Sequence, residues 1–331
     1  MDDQNDVYSP PPPGCVPPMT IGTAQHSQVQ ERTVRRIIIA ISIGILATVA
    51  SLLLDNGGYY IGGDFSIWPL PAAHELIAGR EPYNIGLDGW IVPYPLTAVL
   101  IAIPFTLFTN ITASAIFFGF SSALMAMALT RDNQYWRLIA FASLPYFVNL
   151  YCTQWGPLLV AAAFYPHLLP VTFAKPHIGI AAAVFKKPTK IGVLLSIALV
   201  ATTLIIDPVW PIKWIRSTVH YQGTIPILYP FGFILLLAIL RWKEPGARLI
   251  LLSALLPKRD IYDYLLLWCI PDKRIVMLVA TLLSWLTWPL FNYSQNAALF
   301  FYIVPLVVLL KPILSYTQGE IWISSLRRGP R

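Results

Sequence analysis

Residues 34–54 read VRRIIIAISIGILATVASLLL, and this stretch decides the class of fold. It is close to the ~20 apolar residues that an α-helix needs to cross a bilayer. Arg32, Arg35 and Arg36 lie at its start, and no small-residue cleavage site follows it. The stretch is therefore predicted to be a retained membrane span rather than a signal peptide.

The composition of the whole chain agrees with a membrane protein. Of the 331 residues, 56% are hydrophobic and 12% are charged, whereas an ordinary soluble domain has roughly 25% charged residues. The mean hydropathy is +0.62. These values exclude a soluble enzyme, a disulfide scaffold and a disordered chain as descriptions of most of the sequence, and they favour a polytopic membrane protein.

Neither the cysteines nor the net charge indicates another class of protein. Cys15, Cys152 and Cys269 lie far apart and form no pattern typical of a disulfide framework or a zinc site. The net charge is +7, but the basic residues are scattered in short connections, so a nucleic-acid partner is not indicated. In a membrane protein such scattered charge mainly encodes orientation.

The chain divides into a tail, a membrane domain and a second tail. Residues 1–33 are rich in proline and polar side chains and are predicted to form a disordered cytoplasmic tail. The first apolar run is followed by eleven more, several of them shorter than a full span. They cover residues 91–108, 110–130, 136–151, 154–167, 169–185, 190–206, 225–240, 248–257, 260–271, 274–291 and 297–315. The membrane domain is thus predicted over 34–315, and a basic cytoplasmic tail over 316–331.

The distribution of Lys and Arg sets the predicted orientation. Twelve spans place most of these residues in cytoplasmic connections, with Arg131 and Arg137 among the minority outside. The alternative fuses the two short runs around Pro257 and buries Lys258, Arg259 and Asp260 at mid-membrane, which is costly. The even number of spans predicts both termini inside and two long connections outside, 55–91 and 207–224.

The first outer connection carries the sharpest pattern. Asp64 follows two glycines and precedes an apolar stretch that contains Pro71 and ends at Gly79. Proline suits a first helical turn and glycine a left-handed C-cap, so a short interfacial helix is predicted over 72–78. An isolated aspartate after two glycines is usually a solvated turn residue. Here it is expected at the membrane surface beside the short helix.

The order of these features resembles a known family. Asp64, a short apolar helix, Pro82-Tyr83 and then Tyr94-Pro95 opening the next span are similar to the first loop of GT-C-fold glycosyltransferases. Within that fold the chain most resembles glycosyltransferase family 87, which is typical of polyprenyl-phosphate-mannose-dependent enzymes. The resemblance covers residues 34–315.

Three later stretches fit the same family. Gln154-Trp155-Gly156 is similar to the family's Gly-Gln helix start in altered order, and Leu256-Pro257 with the tyrosines after it is similar to a Ser-Pro turn. Lys175-Pro176-His177 is similar to the family's Lys-Pro-Gln. The histidine departs from the family's pattern, and the segments over 154–185 are compressed.

The resemblance implies both the fold and the reaction. It implies an all-α polytopic GT-C-like fold with about 11–12 transmembrane helices. The implied reaction is an inverting transfer of a sugar, mannose in this family, from a polyprenyl-phosphate donor to an extracytoplasmic glycolipid or glycan acceptor at the plasma membrane. Asp64 is the implied general base. No cofactor is expected, and the outer connections contain no Asp-x-Asp pair typical of a metal–nucleotide site.

Binding of the donor phosphate requires cations near the outer face. Lys175, inside the run over 169–185, is the first candidate because an intramembrane cation is costly unless it is functional. The alternative is a helix-end lysine whose ammonium reaches the surface. Arg259 and Lys258 at the tip of the short hairpin come next, with Arg259 first because a guanidinium matches phosphate oxygens. The alternative for this pair is ordinary flanking charge.

The remaining candidates are expected to contact or orient substrate. They are His74, Glu75, Tyr83, Tyr94, His177, Trp214 and His220. Trp214 fits either a sugar-stacking role or a place in the aromatic belt at the membrane interface. His220 could shuttle a proton or bind a phosphate, but a lone histidine in a loop usually does neither.

Two other classes of function stay open from the sequence. A secondary transporter also fits twelve spans and one intramembrane cation, but transporters are built from internal repeats. The long connection after the first span has no counterpart in the second half of the chain. A catalytically inactive membrane scaffold is the third class.

Overall fold

The structure is a computed structural model that describes residues 21–55, 63–87, 90–218, 223–291 and 295–312. Over these residues the chain is almost entirely helical. Extended backbone is limited to two short antiparallel strands, β1 (Gly86–Leu87) and β2 (Trp90–Ile91), and one isolated bridge between Thr224 and Lys258. The predicted all-α class is confirmed.

The helices are of two kinds. The α-helices are α1 (Ile21–Asp55), α2 (Gly63–Ile67), α3 (Pro69–Ile77), α4 (Leu96–Ala102), α5 (Asn110–Leu129), α6 (Leu144–Tyr151), α7 (Gly156–Phe164), α8 (Pro176–Ala183), α9 (Lys190–Ile206), α10 (Trp210–Thr218), α11 (Pro245–Leu255) and α12 (Arg274–Phe291). The 3₁₀ helices are Pro82–Asn84, Ile103–Leu107, Tyr135–Ala142, Pro166–Ala174, Pro226–Leu228, Gly232–Arg241, Ile261–Cys269 and Gln295–Leu299. The last described helix ends at Pro312.

Two helices are long and apolar enough to cross a membrane. They are Gln30–Leu54 within α1 and Asn110–Leu129, which is α5. α9 and α10 meet at an angle of 93° and add a third if they form one bent span. These helices indicate membrane association. The other apolar helices among the described residues are shorter.

The first helix begins within the segment that the sequence predicted as a disordered tail. α1 starts at Ile21, whereas the predicted boundary is residue 33. Gln28, Gln30 and Glu31 are good helix formers, so the helix continues beyond the apolar run toward the N-terminus. Residues 1–20 and the predicted tail over 316–331 lie outside the described residues.

α1 and α5 pack antiparallel and define the two ends of the helical bundle. At one end, Nη2 of Arg36 donates to the carbonyl of Met127 at 3.0 Å. Further along, the two helices approach so closely that a Cβ on Gly119 would lie 2.6 Å from the carbonyl of Gly44. We call the end with Arg36 and Met127 the basic end, and the opposite end, toward Leu54, the loop end.

The structure corrects the predicted path of the segment 91–108. This segment holds only the seven-residue α4 and the five-residue 3₁₀ helix after it. It does not reach the basic end, because α5 follows it and still runs from the loop end to Met127. Arg131 therefore lies at the basic end, where Nη1 donates to the carbonyl of Phe164 at 3.0 Å. Arg131 and Arg137 therefore lie at the same end of the bundle as Arg36, whereas the predicted path placed them at the opposite end.

A second difference between the predicted and the observed chain path, in the segment 169–185, compensates for the one in 91–108. The segment 169–185 was predicted to pass once between the two ends, but it takes part in two passages. The 3₁₀ helix Pro166–Ala174 leads away from the basic end, where the hydroxyl of Tyr165 donates to the carbonyl of Met127 at 2.9 Å. α8 then returns to it, and the ring of Phe185 lies 5.5 Å from that of Phe164. The predicted sides of all later segments are unaffected.

Three reversals of the chain meet toward the loop end. They are residues 152–155 between α6 and α7, Lys175 before α8, and residues 256–260 after α11. Asn149 joins two of them. Its buried amide nitrogen donates to the carbonyls of Pro145 at 2.7 Å and Tyr262 at 2.9 Å, and its oxygen accepts from the backbone N–H of Gly156 at 3.0 Å.

The predicted short helix is confirmed in the connection that follows α1. α3 spans Pro69–Ile77, so it begins three residues before the predicted start at 72, and Gly79 adopts the expected left-handed conformation with φ +71°. α2 precedes it and anchors it to the bundle. The ring of Phe65 is fully buried and stacks on Phe117 with 4.0 Å between centroids.

Candidate functional site

Gly63 brings Asp64 against the first reversal. Its φ is +62°, which disfavours any side chain, and a Cβ at this position would lie 2.4 Å from the carbonyl of Cys152. The close approach allows the backbone N–H of Asp64 to donate to that carbonyl at 2.9 Å. The second glycine of the Gly-Gly-Asp motif is therefore required by packing.

The carboxylate of Asp64 is held by three partners. Oδ2 accepts from the amide of Gln154 and from the hydroxyl of Tyr94 at 3.3 Å. It also pairs with Nη1 of Arg259 at 3.4 Å. Only 15% of the side chain is exposed. The interpretation of Asp64 as a solvated turn residue is wrong.

A second carboxylate, Asp263, holds Lys175. Nζ of Lys175 lies 2.9 Å from Oδ1 of Asp263, 2.9 Å from Oε1 of Gln154 and 4.2 Å from the ring centre of Tyr262. The lysine is 3% exposed. It belongs to a reversal rather than to a helix interior, and its ammonium does not reach the surface, so the helix-end alternative is wrong.

Gln154 links the two carboxylates. Its nitrogen donates to Asp64 while its oxygen accepts from Lys175. Asp263 in turn accepts from the backbone N–H of Arg259 at 2.9 Å and lies 3.6 Å from Nε2 of His177. Gln154 and Asp263 lie within the motifs that the sequence singled out, but sequence reasoning assigned neither of them a role in the site.

A cavity of about 260 Å³ opens beside this network. Predicted site residues line its wall, and they comprise three cations, two aromatic side chains and a histidine. They are Tyr94, Lys175, His177, Trp214, Lys258 and Arg259. Over the described part of the chain the cavity wall carries no carboxylate. The cavity is therefore suited to an anion.

Lys258 is the most unusual of these cations. It is 1% exposed, and its Nζ has no hydrogen-bond partner among the described residues. Its backbone is fixed by paired hydrogen bonds of 2.7 and 2.8 Å with Thr224. Burial lowers the pKa of Lys258 to about 8. A buried ammonium without a partner is costly unless a ligand supplies the missing acceptor.

Several predicted site residues lie elsewhere. His74 is exposed on α3, and Glu75 pairs with Arg80 at the surface, so neither of these predicted residues lines the cavity. The buried hydroxyl of Tyr83 donates to the carbonyl of Tyr94 at 3.2 Å. Tyr83 therefore supports the cavity wall from behind. His220 lies outside the described residues.

Trp214 lines the cavity. Its indole Nε1 donates to the carbonyl of Pro93 at 3.1 Å, which fixes the ring against the opening of α4. The indole is half-buried and presents an apolar surface next to the cations.

The arrangement offers an anion site beside a held carboxylate. Within the described ranges there is no group of three or more His, Cys, Asp or Glu residues that could hold a metal ion. The chemistry available from the described side chains is anion binding by Lys175, Lys258 and Arg259 and proton acceptance by Asp64. Comparison of the chain with protein-family models, with curated proteins and with solved structures found no match in any of the three.

Proposed function

We propose that the protein is an integral-membrane glycosyltransferase that uses a polyprenyl-phosphate sugar as donor. The acceptor is a hydroxyl of an extracytoplasmic glycolipid or glycan, and the sugar is mannose, as the family resemblance implies. The observation that carries the proposal is the cavity with three cations and no described carboxylate in its wall, next to the partly buried Asp64.

The cations suit the phosphate of such a donor. Lys175 is neutralised by Asp263 and Arg259 pairs with Asp64, so Lys258 supplies the charge that is not yet balanced. A phosphodiester between a sugar and a lipid carries one negative charge. One surplus ammonium, supported by a guanidinium that can offer two donors, matches that ligand.

The transfer itself needs one base. The acceptor oxygen attacks the anomeric carbon, the bond from that carbon to the phosphate oxygen breaks, and the phosphate leaves with the electron pair. The hydroxyl proton passes to the carboxylate of Asp64. Asp64 does not itself line the cavity, but Arg259 and Tyr94 contact it and also form the cavity wall. The acceptor therefore meets the donor at these two side chains.

The charge distribution supports an extracytoplasmic site. With Arg131 and Arg137 placed at the basic end, that end gains two more cations beside Arg36 and Lys186. Cytoplasmic connections carry the excess of Lys and Arg in membrane proteins. The loop end, with the cavity, then faces away from the cytoplasm.

The test is Asp64→Asn in membranes supplied with labelled polyprenyl-phosphate mannose. Transfer is expected to fall by at least ~100-fold, the usual contribution of a general base. Glu75→Gln is the matched control, because this carboxylate lies on the neighbouring helix and pairs only at the surface. Near-wild-type transfer by the Asn variant would remove Asp64 from the role of base.

Donor binding is tested separately with Lys175→Ala and Lys258→Met. Both variants are expected to weaken donor use. Lys175→Ala is also expected to lower stability, because it leaves the buried carboxylate of Asp263 without its ion pair. Unchanged donor response in the Lys258 variant would move the phosphate site elsewhere.

A secondary transporter is the competing class, and the buried Lys175–Asp263 pair is the observation that favours it. Buried ion pairs of this kind occur along ion pathways in transporters. In proteoliposomes a transporter would move the labelled donor or its head group across the bilayer without forming a new glycosidic bond. Recovery of label in an elongated glycan supports the transferase instead.

A further inference from the structure

A second group of cations gathers at the basic end, around Phe164 at the end of α7. Nη1 of Arg131 donates to the carbonyl of Phe164 at 3.0 Å. The guanidinium of Arg137 and Nζ of Lys186 each lie 5.5 Å from the centre of its ring. We call Arg131, Arg137 and Lys186 the Phe164 cluster. Arg131 follows α5, Arg137 lies in the 3₁₀ helix Tyr135–Ala142, and Lys186 lies between α8 and α9.

The Phe164 cluster is not neutralised by direct ion pairs. Over the described ranges, none of its three members pairs with a carboxylate. Asp132 and Asp272 act electrostatically on members of the cluster but form no ion pair with them. Burial lowers the pKa of Lys186, and Arg131 lowers it further because the charges repel. Like charges held this close favour an added anion.

An amphipathic cavity adjoins the cluster at Arg137. Its volume is about 280 Å³, and most of its described wall is apolar, with Phe185, Ile270, Val308 and Leu309 among the lining residues. Arg241 and Glu244 also line it and pair with each other at 3.2 Å. Arg137 thus presents a cation at one side of an otherwise largely apolar space.

We propose that the Phe164 cluster and this cavity form a binding site for an anionic membrane phospholipid. The phosphate binds Arg131, Arg137 and Lys186, and part of an acyl chain lies along Phe185, Ile270 and Leu309. Basic pockets between helices at the cytoplasmic face of membrane proteins bind phosphate head groups in this way. The site is separate from the candidate active site, because the nine residues of α7 lie between Gln154 and Phe164.

The test is competitive lipid binding to the purified full-length protein. Native mass spectrometry from detergent with equal amounts of phosphatidylglycerol and phosphatidylcholine is expected to show preferential retention of phosphatidylglycerol. Lys186→Gln is expected to lower that retention about fivefold, the effect of one cation at an anionic lipid surface. Lys187→Gln makes the same change of charge at the exposed neighbouring residue and is expected to leave retention unchanged.

Three outcomes would overturn the proposal. Equal retention of the two lipids would show that the site does not select an anion, and equal effects of the Lys186 and Lys187 variants would show only general surface attraction. If inorganic phosphate alone raised the melting temperature as much as phosphatidylglycerol, the ligand would be a soluble phosphate. Arg137→Gln should weaken lipid retention further, but the Lys186 variant decides the matter if Arg137→Gln does not fold.

Discussion

Lys258→Met is expected to stabilise the protein while it weakens donor binding. The ammonium of Lys258 is buried, and Nζ has no hydrogen-bond partner among the described residues. Burial lowers its pKa from an ordinary 10.5 to about 8. Each pKa unit corresponds to about 1.4 kcal/mol, so keeping this group charged in the folded state costs about 3 kcal/mol below pH 8.

The sign of the pH dependence follows from the same shift. The folded-state pKa lies below the unfolded value, so between pH 8 and about 10.5 the unfolded chain binds more protons than the folded chain. The stability of the wild type should therefore rise with pH through this window. Methionine fills similar space without a charge. The Met variant should lack the rise and should already be the more stable protein at pH 7.

Thermal unfolding in detergent at pH 7 measures the effect, for example with a thiol-reactive dye that reports exposure of the buried Cys269. A gain of about 3 kcal/mol should raise the melting temperature by roughly 5–10 °C. Lys213→Met is the control. Lys213 lies at the same end but pairs with Glu81 and Asp207, so its loss should not stabilise.

Addition of polyprenyl phosphate should reverse the order of the two melting temperatures. The wild type gains a partner for Lys258 and should be stabilised by the ligand, whereas the Met variant should gain little. A Met variant that melts at or below the wild-type temperature without ligand would refute the reasoning, because Lys258 would then already have a partner in the native protein.

Three further predictions address the same site. In the Lys258→Arg variant the side chain stays charged at high pH, so the KM for the donor should not change between pH 7 and 9.5. The KM of the wild type should rise over the same range as the lysine deprotonates, and parallel pH profiles of the two proteins would contradict this. Asn149→Ala removes three buried hydrogen bonds and should lower the free energy of unfolding by about 3 kcal/mol in a thermal melt; a loss under ~1 kcal/mol would mean that the reversals hold without it. Gly63→Ala should reduce transfer about 100-fold, because its Cβ would push the neighbouring carboxylate out of place. Gly79→Ala has a similarly positive φ but nothing within 4 Å of the added Cβ, so it should cost only stability, and equal loss of transfer in both variants would argue against a positioning role for Gly63.

The local signals in the sequence were sufficient for the short helix and for the main charged groups. Pro71 lies in the first turn of α3, which begins at Pro69, and Gly79 follows its end, and both positions reflect backbone preferences that need no tertiary information. The charged groups were recognisable because a charge beside an apolar run is costly. This signal marks Asp64, Lys175 and Arg259. The structure brings all three into one connected network.

The errors in the chain path come from proline. The segment 91–108 contains Pro93, Pro95 and Pro104, and the segment 169–185 contains Pro176 directly after Lys175. Proline disfavours helical backbone at the preceding residue and removes a donor, so both runs are broken. The number of consecutive apolar residues gives the length of each run, but it does not show that proline interrupts the helix within that run.

Roles that depend on packing were not visible in the sequence. Asp263 lies in a largely apolar run, and only the fold shows that Lys175 is its partner. On α3 the buried face is formed by Pro69, Leu70, Ala72 and Ala73, which leaves His74 on the exposed side. Proximity in sequence to Asp64 was therefore a poor guide to proximity in the site.

The shortness of the helices beneath the cavity has a consequence for the bilayer. α7 and α8 contain nine and eight residues, so they rise only about 13 Å from the level of Gln154 and Lys175 to the basic end. For the proposed transferase, in a bilayer whose hydrocarbon core is about 30 Å thick, a lipid-linked sugar would have to sink well below the headgroup plane to meet these residues. Turnover would then depend on acyl-chain length, with thin membranes favouring the reaction and thick ones slowing it.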